Sequence, residues 1–465
     1  MTSPATSPIR RVLVANRGEI AVRVLRTLRR LGLESVLAVS GADRDGLGAR
    51  LADRVLCVGP ARATDSYLNI PALVHAALAS GAHAVHPGYG FLSERADFAR
   101  ACEEAGLVFV GPTAAQIERV GDKLAARALA VQAGVPVAPG GPVASREEAL
   151  ALAERIGYPV LVKAVGGGGG RGLKRADDAT QLAELFDLAG AEAEAAFGDS
   201  RVYVECFVAR GRHVEVQVLG DGQRLIHLGD RDCSVQRRYQ KLIEEAPAPA
   251  LDPDLRAALH AAACRFAEAI AYRSLGTVEF LVDVQRRAFY FLEMNARIQV
   301  EHPVTEMITG LDLVEQQIRV AQGLALALTQ ADVCFTGHAL ECRINAEDPT
   351  HAFRPAPGRV TAATFADGPG LRVDSHVETG TLVTPYYDSM LAKLIAHGST
   401  RDAALVRQRN ALAATVLEGV STNLELHRTL LASPAFSAGG VDTGWLARFL
   451  DASGAAVAEM AGRAE

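Results

Sequence analysis

A run of alternating residues between positions 292 and 301 carries the groups best suited to chemistry. The apolar members are Leu292, Met294, Ala296, Ile298 and Val300, and the polar members are Glu293, Asn295, Arg297, Gln299 and Glu301. Because an extended strand turns alternate side chains to opposite faces, the pattern predicts one strand with five polar groups along one face. His302-Pro303 would end its pairing, since proline has no amide hydrogen. A solvated strand face is the alternative, but carboxylates, an amide and a guanidinium favour binding of a hard cation beside an anion.

A further carboxylate is expected opposite this strand. Two strands, 276–283 and 288–300, are predicted to form a hairpin, and Glu279 lies between Val278 and Phe280 in the first of them. A buried carboxylate on a mainly apolar strand is costly unless it is paired. Glu279, Glu293 and Asn295 together offer the oxygen ligands that Mg²⁺ prefers when it bridges nucleotide phosphates. The hairpin therefore predicts a metal site in preference to a purely structural role.

Five consecutive glycines, at positions 166–170, follow Lys163 and precede Arg171. Such a run lets main-chain amides approach an anion in conformations that are closed to other residues. It lacks the Gly-Lys-Ser/Thr ending of a P-loop and is not a G-x-G-x-x-G on a first strand. A flexible surface loop is the alternative, but a cation on each side favours a lid that closes over a polyphosphate and excludes water.

Lysine is rare in this chain. Lys and Arg number 48 together, yet the only lysines are Lys123, Lys163, Lys174, Lys241 and Lys393. Such a chain is expected to keep a lysine where a compact ammonium must meet a phosphate oxygen and arginine would fail. We predict that Lys123, Lys163 and Lys241 are functional. For Lys174 and Lys393, a role and chance retention are equally open.

Composition narrows the class of protein. A length of 465 residues predicts about three domains, and 49% hydrophobic with 22% charged residues indicates a globular fold. The net charge of −6 argues against nucleic-acid and membrane-surface partners. The seven cysteines include no C-x-x-C pair, which predicts free thiols in a reducing compartment. Residues 1–8 lack the apolar centre of a signal peptide, and no apolar run is long enough to span a bilayer, so we expect a cytoplasmic protein.

The spacing of apolar runs predicts an α/β fold followed by α+β elements. In the first 120 residues, short strands at 11–15, 36–40, 83–86 and 107–111 alternate with helices such as 19–31 and 70–80, which indicates a parallel sheet. One helix is predicted over 114–133, before a Pro/Gly-rich hinge at 136–142. The block beyond it, with helices at 145–156 and 178–196 and strands at 160–165 and 201–208, could move as one piece. Strands over 213–229, a helix over 253–272 and the hairpin follow. A helix to about residue 328 precedes a mixed region that begins with strand 339–344.

Seven motifs in order along residues 10–450 resemble the biotin carboxylase family. They are Ala15-Asn-Arg-Gly-Glu-Ile, His86-Pro-Gly-Tyr-Gly-Phe-Leu-Ser-Glu, the glycine run with Arg171-Gly172, Arg231-Asp-Cys-Ser-Val-Gln-Arg-Arg, Glu293-Met-Asn-Ala-Arg-Ile-Gln-Val-Glu-His, Leu340-Glu-Cys-Arg-Ile-Asn and Pro385-Tyr-Tyr-Asp-Ser-Met. The resemblance implies an ATP-grasp fold with a Rossmann-like N-terminal domain over 1–121, an ATP-grasp domain over 122–328 and a C-terminal mixed domain over 329–450. A mobile glycine-rich lid would occupy about 138–208.

The resemblance also implies an activity and assigns residues to it. The family carboxylates N1′ of biotin on a carrier protein with bicarbonate and MgATP, using two Mg²⁺ or Mn²⁺ ions. The ATP contacts would be Lys123, Lys163, Gly168, Gly169, Gly170, Glu205, Cys206, Phe207, Val208, His213, Glu279 and Glu293. The metal ligands would be Glu279, Glu293 and Asn295. Bicarbonate would lie between Lys241, Arg297, Gln299 and Val300 with Glu301 as its general base, and biotin would contact Tyr89 and Arg343.

Departures from the family pattern bear on affinity and assembly. Tyr239 stands where many relatives have His, and Cys206 replaces a common Lys beside the adenine. Relatives that dimerise carry an acidic residue where this chain has Arg30, so the resemblance leaves a homodimer open. The chain has no biotinyl attachment motif, which implies a separate biotin carboxyl carrier protein and carboxyltransferase subunits. Another ATP-grasp carboxylate ligase and a catalytically silent nucleotide-binding scaffold are the alternatives.

Overall fold

The N-terminal part of the chain is a parallel sheet flanked by helices, as predicted. The computed structural model describes residues 9–166 and 172–452. The first five strands are β1 (Arg11–Val14), β2 (Glu34–Ser40), β3 (Arg54–Gly59), β4 (Ala84–His86) and β5 (Val108–Phe109), in the order β3-β2-β1-β4-β5. The helices are α1 (Gly18–Arg30), α2 (Leu47–Leu51), α3 (Ile70–Ala79), α4 (Ala96–Glu104) and α5 (Ala114–Gly121). Central strands covered on both faces must be continuously apolar, which explains the buried run from Val12 to Val14.

The single helix predicted over 114–133 is wrong, because the structure has two. Helix α5 ends at Gly121, and α6 (Lys123–Gln132) begins after Asp122, which has extended backbone with ψ 118°. The Asp122 carboxylate accepts hydrogen bonds from the amides of Leu124 and Ala125 at 2.8 and 2.9 Å. Aspartate at this position satisfies amides that the first helical turn leaves unpaired. The break therefore places Lys123 in the first turn of α6.

The predicted lid is a small unit with its own core. Its elements are β6 (Gly140–Val143), α7 (Arg146–Ile156), β7 (Val160–Ala164), β8 (Leu173–Ala176), α8 (Ala179–Phe197) and β9 (Val202–Cys206). The four strands form an antiparallel sheet in the order β6-β9-β7-β8. Val160, Val162, Leu182 and Val204 fill a core that is separate from the rest of the protein.

A large antiparallel sheet runs through the remainder of the chain. Its first five strands are β10 (Gly211–Asp221), β11 (Leu225–Arg237), β12 (Gln240–Ala246), β13 (Arg273–Asp283) and β14 (Ala288–Asn295). Helices α9 (Pro253–Glu268), α10 (His302–Thr309) and α11 (Leu313–Ala321) accompany it. Helix α9 is shorter than the predicted 253–272, and α11 ends well before the predicted residue 328.

The prediction of one strand from 292 to 301 is wrong in two respects. Strand β14 ends at Asn295, residues 296–300 form a loop, and His302-Pro303 begins α10. Proline is tolerated in a first helical turn, where its missing amide hydrogen would have no partner. A β-bulge also interrupts the pairing, since Glu279 pairs with Glu293 whereas Phe280 pairs with Phe291. Leu292 is the extra residue, so it lines the cleft described below, while Ala296 and Ile298 remain buried in the core.

The C-terminal region extends the same sheet. Its strands are β15 (His338–Asn345), β16 (Glu347–Asp348), β17 (Arg354–Pro355), β18 (Gly358–Arg359), β19 (Ala362–Thr364), β20 (Leu371–Ser375), β21 (Leu382–Val383), β22 (Met390–Gly398) and β23 (Val416–Glu418). Its helices are α12 (Arg401–Ala414), α13 (Leu424–Ala432) and α14 (Pro434–Ala438). The large sheet has the order β14-β13-β10-β11-β12-β15-β22-β20, so β15 pairs with β12 on one side and β22 on the other. The division of the chain at residues 121 and 328 stays a prediction.

Two expectations drawn from composition can be compared with the structure. All seven cysteines are free thiols, as their spacing predicted. Among residues 9–166 and 172–452, no helix combines the length and the apolar character needed to cross a bilayer.

Candidate active site

A cleft of about 970 Å³ opens between the N-terminal sheet, the lid and the large sheet. Most of the residues predicted from the sequence to act together line it. They are Tyr89, Lys123, Lys163, His213, Lys241, Glu279, Glu293, Asn295, Arg297, Gln299, Val300, Glu301 and Arg343. These side chains come from strands, a helix and loops that are far apart in sequence. Their convergence is what a shared reaction site requires.

Lys241 is the centre of the charged network at one end of the cleft. Its ammonium donates hydrogen bonds to Glu215 Oε2 at 2.6 Å, Glu279 Oε1 at 3.0 Å and Glu301 Oε1 at 2.6 Å. Burial alone would raise the pKa of Glu301, but the charges of Lys241 and Arg343 hold this pKa well below its usual value. Glu301 is therefore ionised, and its two cations weaken it as a base while they stay paired with it.

Arg343 lies on the other side of Glu301. Its Nη2 donates to Glu301 Oε2 at 2.8 Å, and its Nε donates to Glu244 Oε1 at 2.5 Å. Burial raises the pKa of Glu244 to about 7, with Arg343 opposing the shift and Glu301 adding to it. Tyr89 lines the same cleft and donates its hydroxyl hydrogen to the buried carboxylate of Glu19.

The loop after β14 folds back over the hairpin. Arg297 Nη2 and Gln299 Nε2 both donate to Asn295 Oδ1, at 2.8 and 2.9 Å, and Gln299 Nε2 also donates to Glu279 Oε1 at 2.9 Å. Arg297 Nε donates to Glu94 Oε2 at 2.8 Å. The predicted metal ligand Asn295 is thus already an acceptor for two donors, which is a role that the sequence did not suggest.

Glu279 and Glu293 meet the main requirement for a metal site. They are direct partners across β13 and β14, so their side chains share one face of the sheet. Burial and the charge of Glu279 raise the pKa of Glu293, while Lys123, with Nζ at 3.9 Å from Glu293 Oε2, lowers it. Two neighbouring carboxylates whose negative charge is only partly balanced by protein cations suit a divalent cation.

A second group of potential ligands fits a metal less well. His213, Glu215 and Glu279 offer ligand atoms within 4.8 Å of one another. Glu215, however, already accepts from Arg231 Nε at 2.6 Å and from Lys241 at 2.6 Å. His213 Nε2 lies 3.1 Å from Glu279 Oε2; burial lowers the pKa of this histidine, but the charge of Glu279 outweighs it and raises the pKa overall. Protein cations therefore already balance this group.

The residues predicted to lie along the adenine are not among those that line the cleft. Strand β9 ends at Cys206, so Phe207 and Val208 follow the strand and are not part of it. The Glu205 carboxylate pairs with the Lys163 ammonium, which joins this residue to the site through the lysine. Gly168, Gly169 and Gly170 lie outside the described residues.

Tyr239, which stands where many relatives have His, lies in the turn between β11 and β12. Arg238 and Tyr239 form the turn between β11 and β12 with positive φ angles of 48° and 68°. The Tyr239 side chain is half exposed and lines the mouth of the cleft, two residues before Lys241.

Arg231 was not predicted to act in the site, although it begins one of the seven motifs. The guanidinium is fully buried and donates to Glu215 Oε1, Gln217 Oε1, Thr277 Oγ1, Gln299 Oε1 and Thr305 Oγ1 at 2.6–3.1 Å. It thereby supports Gln299 and Glu215 from beneath the cleft. An arginine within a strand whose neighbours are apolar or acidic was the available signal, because a buried guanidinium needs several acceptors.

The structure separates the two lysines that the sequence left open. Lys174 forms a 3.0 Å ion pair with Glu192 on the lid. Lys393 is completely buried, and its ammonium donates to the main-chain oxygen of Val300 at 2.7 Å. Lys393 therefore contacts the loop that carries the predicted catalytic groups.

Comparison with known proteins shows which proteins this chain is similar to. The family models that match are the biotin carboxylase N-terminal domain over residues 8–117, the ATP-binding domain of the carbamoyl-phosphate synthase L chain over 122–329 and the biotin carboxylase C-terminal domain over 341–448. The chain is 52% identical over 446 residues to a biotin carboxylase of Pseudomonas aeruginosa, covering 95% of this chain and 99% of that protein. It is 49% identical over 441 residues to biotin carboxylase 1 of Bacillus subtilis, covering 94% and 98%.

Solved structures show the same similarity in three dimensions. The crystal structure of a Campylobacter jejuni biotin carboxylase in complex with β,γ-ATP has a TM-score of 0.92 and 44% identity, covering 95% of this chain and 99% of that one. The biotin carboxylase domain dimer of a Hydrogenobacter thermophilus 2-oxoglutarate carboxylase, with MgADP, ADP and bicarbonate, has a TM-score of 0.90 and 43% identity, covering 95% and 98%. These neighbours confirm the predicted ATP-grasp fold.

Proposed function

This chain belongs to the biotin carboxylase family, and we propose that it carboxylates biotin on a separate carrier protein, using MgATP and bicarbonate. The observation that carries the proposal is the position of Glu301 between Lys241 and Arg343, at 2.6 and 2.8 Å. A proton acceptor flanked by two fixed cations suits a reaction that generates first deprotonated bicarbonate and then the biotin enolate.

The first step is activation of bicarbonate. Bicarbonate is a poor nucleophile until a base removes its proton, and Glu301 is the ionised carboxylate available for this. Lys241, Arg297 and Gln299 would hold the anion, with the planar fork of Arg297 matching a planar oxyanion. An anion that draws Lys241 toward itself would weaken the Lys241–Glu301 pair, which makes Glu301 a stronger base when substrate is bound.

The second step is phosphoryl transfer. Glu279 and Glu293, with Asn295, would hold a divalent ion that neutralises phosphate charge, and Lys123 and Lys163 would bind phosphate oxygens. The bicarbonate oxygen attacks the γ-phosphorus and ADP leaves, forming carboxyphosphate.

The last step is carboxylation of biotin. Carboxyphosphate breaks into CO₂ and phosphate, and the phosphate takes the N1′ proton of biotin. Arg343 would stabilise the resulting enolate oxygen while N1′ attacks CO₂.

The acceptor of the carboxyl group belongs to a partner protein. Solved relatives are named as parts of 2-oxoglutarate, pyruvate and urea carboxylases, so the same fold serves different acceptors. We propose that this chain acts with a biotin carboxyl carrier protein and carboxyltransferase subunits of an acyl-CoA carboxylase. Acetyl-CoA, for fatty acid synthesis, is the first acceptor to test. The seven free cysteines favour a cytoplasmic location.

We also propose a homodimer, although this chain has Arg30 where the family resemblance implies an acidic residue in relatives that dimerise. Arg30 Nη2 donates to Asp312 Oδ2 at 2.8 Å and to Glu315 Oε2 at 2.6 Å within the same chain. These carboxylates already neutralise the guanidinium, so Arg30 brings no unpaired charge to the surface. Sedimentation equilibrium measures the oligomeric state directly.

The decisive assay is bicarbonate-dependent ATP hydrolysis with and without free biotin. The proposal predicts that biotin stimulates hydrolysis, whereas another ATP-grasp carboxylate ligase would ignore biotin. Glu301→Gln should abolish the stimulation, and Glu192→Gln on the lid should retain it. Wild-type protein that binds ATP but hydrolyses none with bicarbonate and biotin would instead support a catalytically silent scaffold. Unchanged biotin-dependent turnover in Glu301→Gln would show that Glu301 is not the base.

A further inference from the structure

Lys393 lies where the large sheet, the loop after β14 and helix α1 meet. On β22 it is the direct partner of Arg343 on β15 and of Asp374 on β20. Its side chain is completely buried, and its ammonium faces oxygen atoms from the loop after β14 and from α1. Fixing a buried ammonium requires several acceptors. We therefore consider each of the groups that contact the Lys393 ammonium.

The first neighbour is the main chain of Val300. Lys393 Nζ donates to this carbonyl at 2.7 Å, and Glu301 is the next residue. Residues 296–300 have no strand partner, so the sheet does not fix their main chain. The ammonium thus supplies a direct anchor immediately before the predicted base.

The second neighbour is Glu19 in the first turn of α1. Lys393 Nζ lies 3.1 Å from Glu19 Oε1, and the Tyr89 hydroxyl donates to the same oxygen. One ammonium therefore connects the loop that carries Glu301 to the residue predicted to contact biotin. Tyr89 follows β4 of the N-terminal sheet and Glu301 follows β14 of the large sheet, and both line the cleft.

A simple charge-balancing role explains less of the geometry. Asp374 is already held by both Arg372 Nε and Nη2 at 2.9 and 2.7 Å, whereas Lys393 is 3.9 Å away. Glu19 needs a positive partner, but that need does not account for the Val300 contact. An arginine would bring a planar fork, whereas the compact ammonium can direct separate donors toward Val300 and Glu19.

We propose that Lys393 is a positioning residue that sets the distance between Glu301 and Tyr89 by anchoring Val300 and Glu19 together. The inference rests on the proposed function, since it assigns Glu301 to bicarbonate and Tyr89 to biotin. It also explains why a chain with five lysines keeps one at this buried site.

The test compares Lys393→Met with the double variant Lys393→Met/Glu19→Gln. The single change leaves a buried carboxylate unpaired, so it lowers thermal stability. The double change removes the closest ion pair and restores part of the lost stability, since the charge of Lys393 also acts on Asp374 and on buried Glu341. Its new amide oxygen at position 19 still accepts from Tyr89, but nothing anchors Val300. A misplaced base costs about 100-fold in biotin-dependent kcat, while the KM for ATP stays within about twofold of wild type.

Arg212→Met is the matched control. Arg212 is also buried, pairs with Asp232 and donates to the main-chain oxygen of Pro249 at 2.6 Å, but it does not line the cleft. This variant should lose stability and keep its kcat per folded molecule. Wild-type protein without biotin-stimulated hydrolysis would refute the proposed function itself, independently of any Lys393 variant.

The proposal is overturned if the double variant recovers wild-type biotin-dependent kcat together with stability, because Lys393 would then serve only as a charge partner. If neither methionine variant folds, Lys393→Arg decides, since it keeps the charge and changes the donor geometry. Lost kcat at unchanged KM for ATP supports the positioning role, and retained kcat refutes it.

Discussion

Glu279 and Glu293 stand directly opposite each other across β13 and β14, on the face that forms the floor of the cleft. Each is flanked by a different cation, Lys241 at 3.0 Å for Glu279 and Lys123 at 3.9 Å for Glu293. Lys123 is the more distant lysine and balances less of the carboxylate charge. Burial and the charge of Glu279 raise the pKa of Glu293. The pair therefore has a residual repulsion that a divalent cation would relieve.

Glu293→Gln tests this metal site. Removing the less compensated charge should raise the melting temperature of the metal-free protein, because the repulsion disappears. The same variant should lose most of the added stability that MgADP gives the wild type, since a ligand stabilises only the state that binds it. Differential scanning calorimetry with and without MgADP measures both effects. Equal MgADP stabilisation in wild type and variant would remove Glu293 from the metal site.

Lys241→Met should be among the most damaging changes in the cleft. The ammonium compensates Glu215, Glu279 and Glu301, and removing one partner of a buried ion pair costs about 3–5 kcal/mol. We expect a lower free energy of unfolding in urea and a higher KM for bicarbonate. A variant with wild-type stability would show that water enters the site and compensates the three carboxylates.

Stability should depend on pH through Glu244. Its pKa rises from 4.5 to about 7 on folding, because burial disfavours the charged form. A raised folded-state pKa gives stability that is fully present below the unfolded value and is lost as pH rises through about 7. Urea unfolding of Glu244→Gln should therefore lack the part of the wild-type decline between about pH 4.5 and about pH 7. Parallel curves for the two proteins would contradict the raised pKa.

Much of the site could be predicted from the sequence because its residue types are unusual for their positions. A carboxylate between Val278 and Phe280, and the few lysines, stood out against an apolar or arginine-rich background. The motifs that resemble biotin carboxylases then supplied the pairing between segments. The ATP-grasp fold and the parallel N-terminal sheet followed from the same information.

Other features depended on local geometry that alternation does not encode. The period of two continued past Asn295 although the strand did not, because Ala296 and Ile298 reach the core from a loop. The bulge at Leu292 and the capping role of Asp122 were invisible for the same reason. Arg231 was missed and the role of Lys393 was left open, because their partners lie on distant segments that only the folded chain brings together.

The most direct measurement is transfer of labelled carbon from bicarbonate to biotin by wild type, Glu301→Gln and Arg343→Met. We expect ATP-dependent labelling of biotin by the wild type and none by Glu301→Gln. Arg343→Met should still hydrolyse ATP with bicarbonate, yet carboxylate biotin at least about 100-fold more slowly, because it loses the donor to the enolate. Labelling of biotin by Glu301→Gln at the wild-type rate would show that Glu301 is not the base.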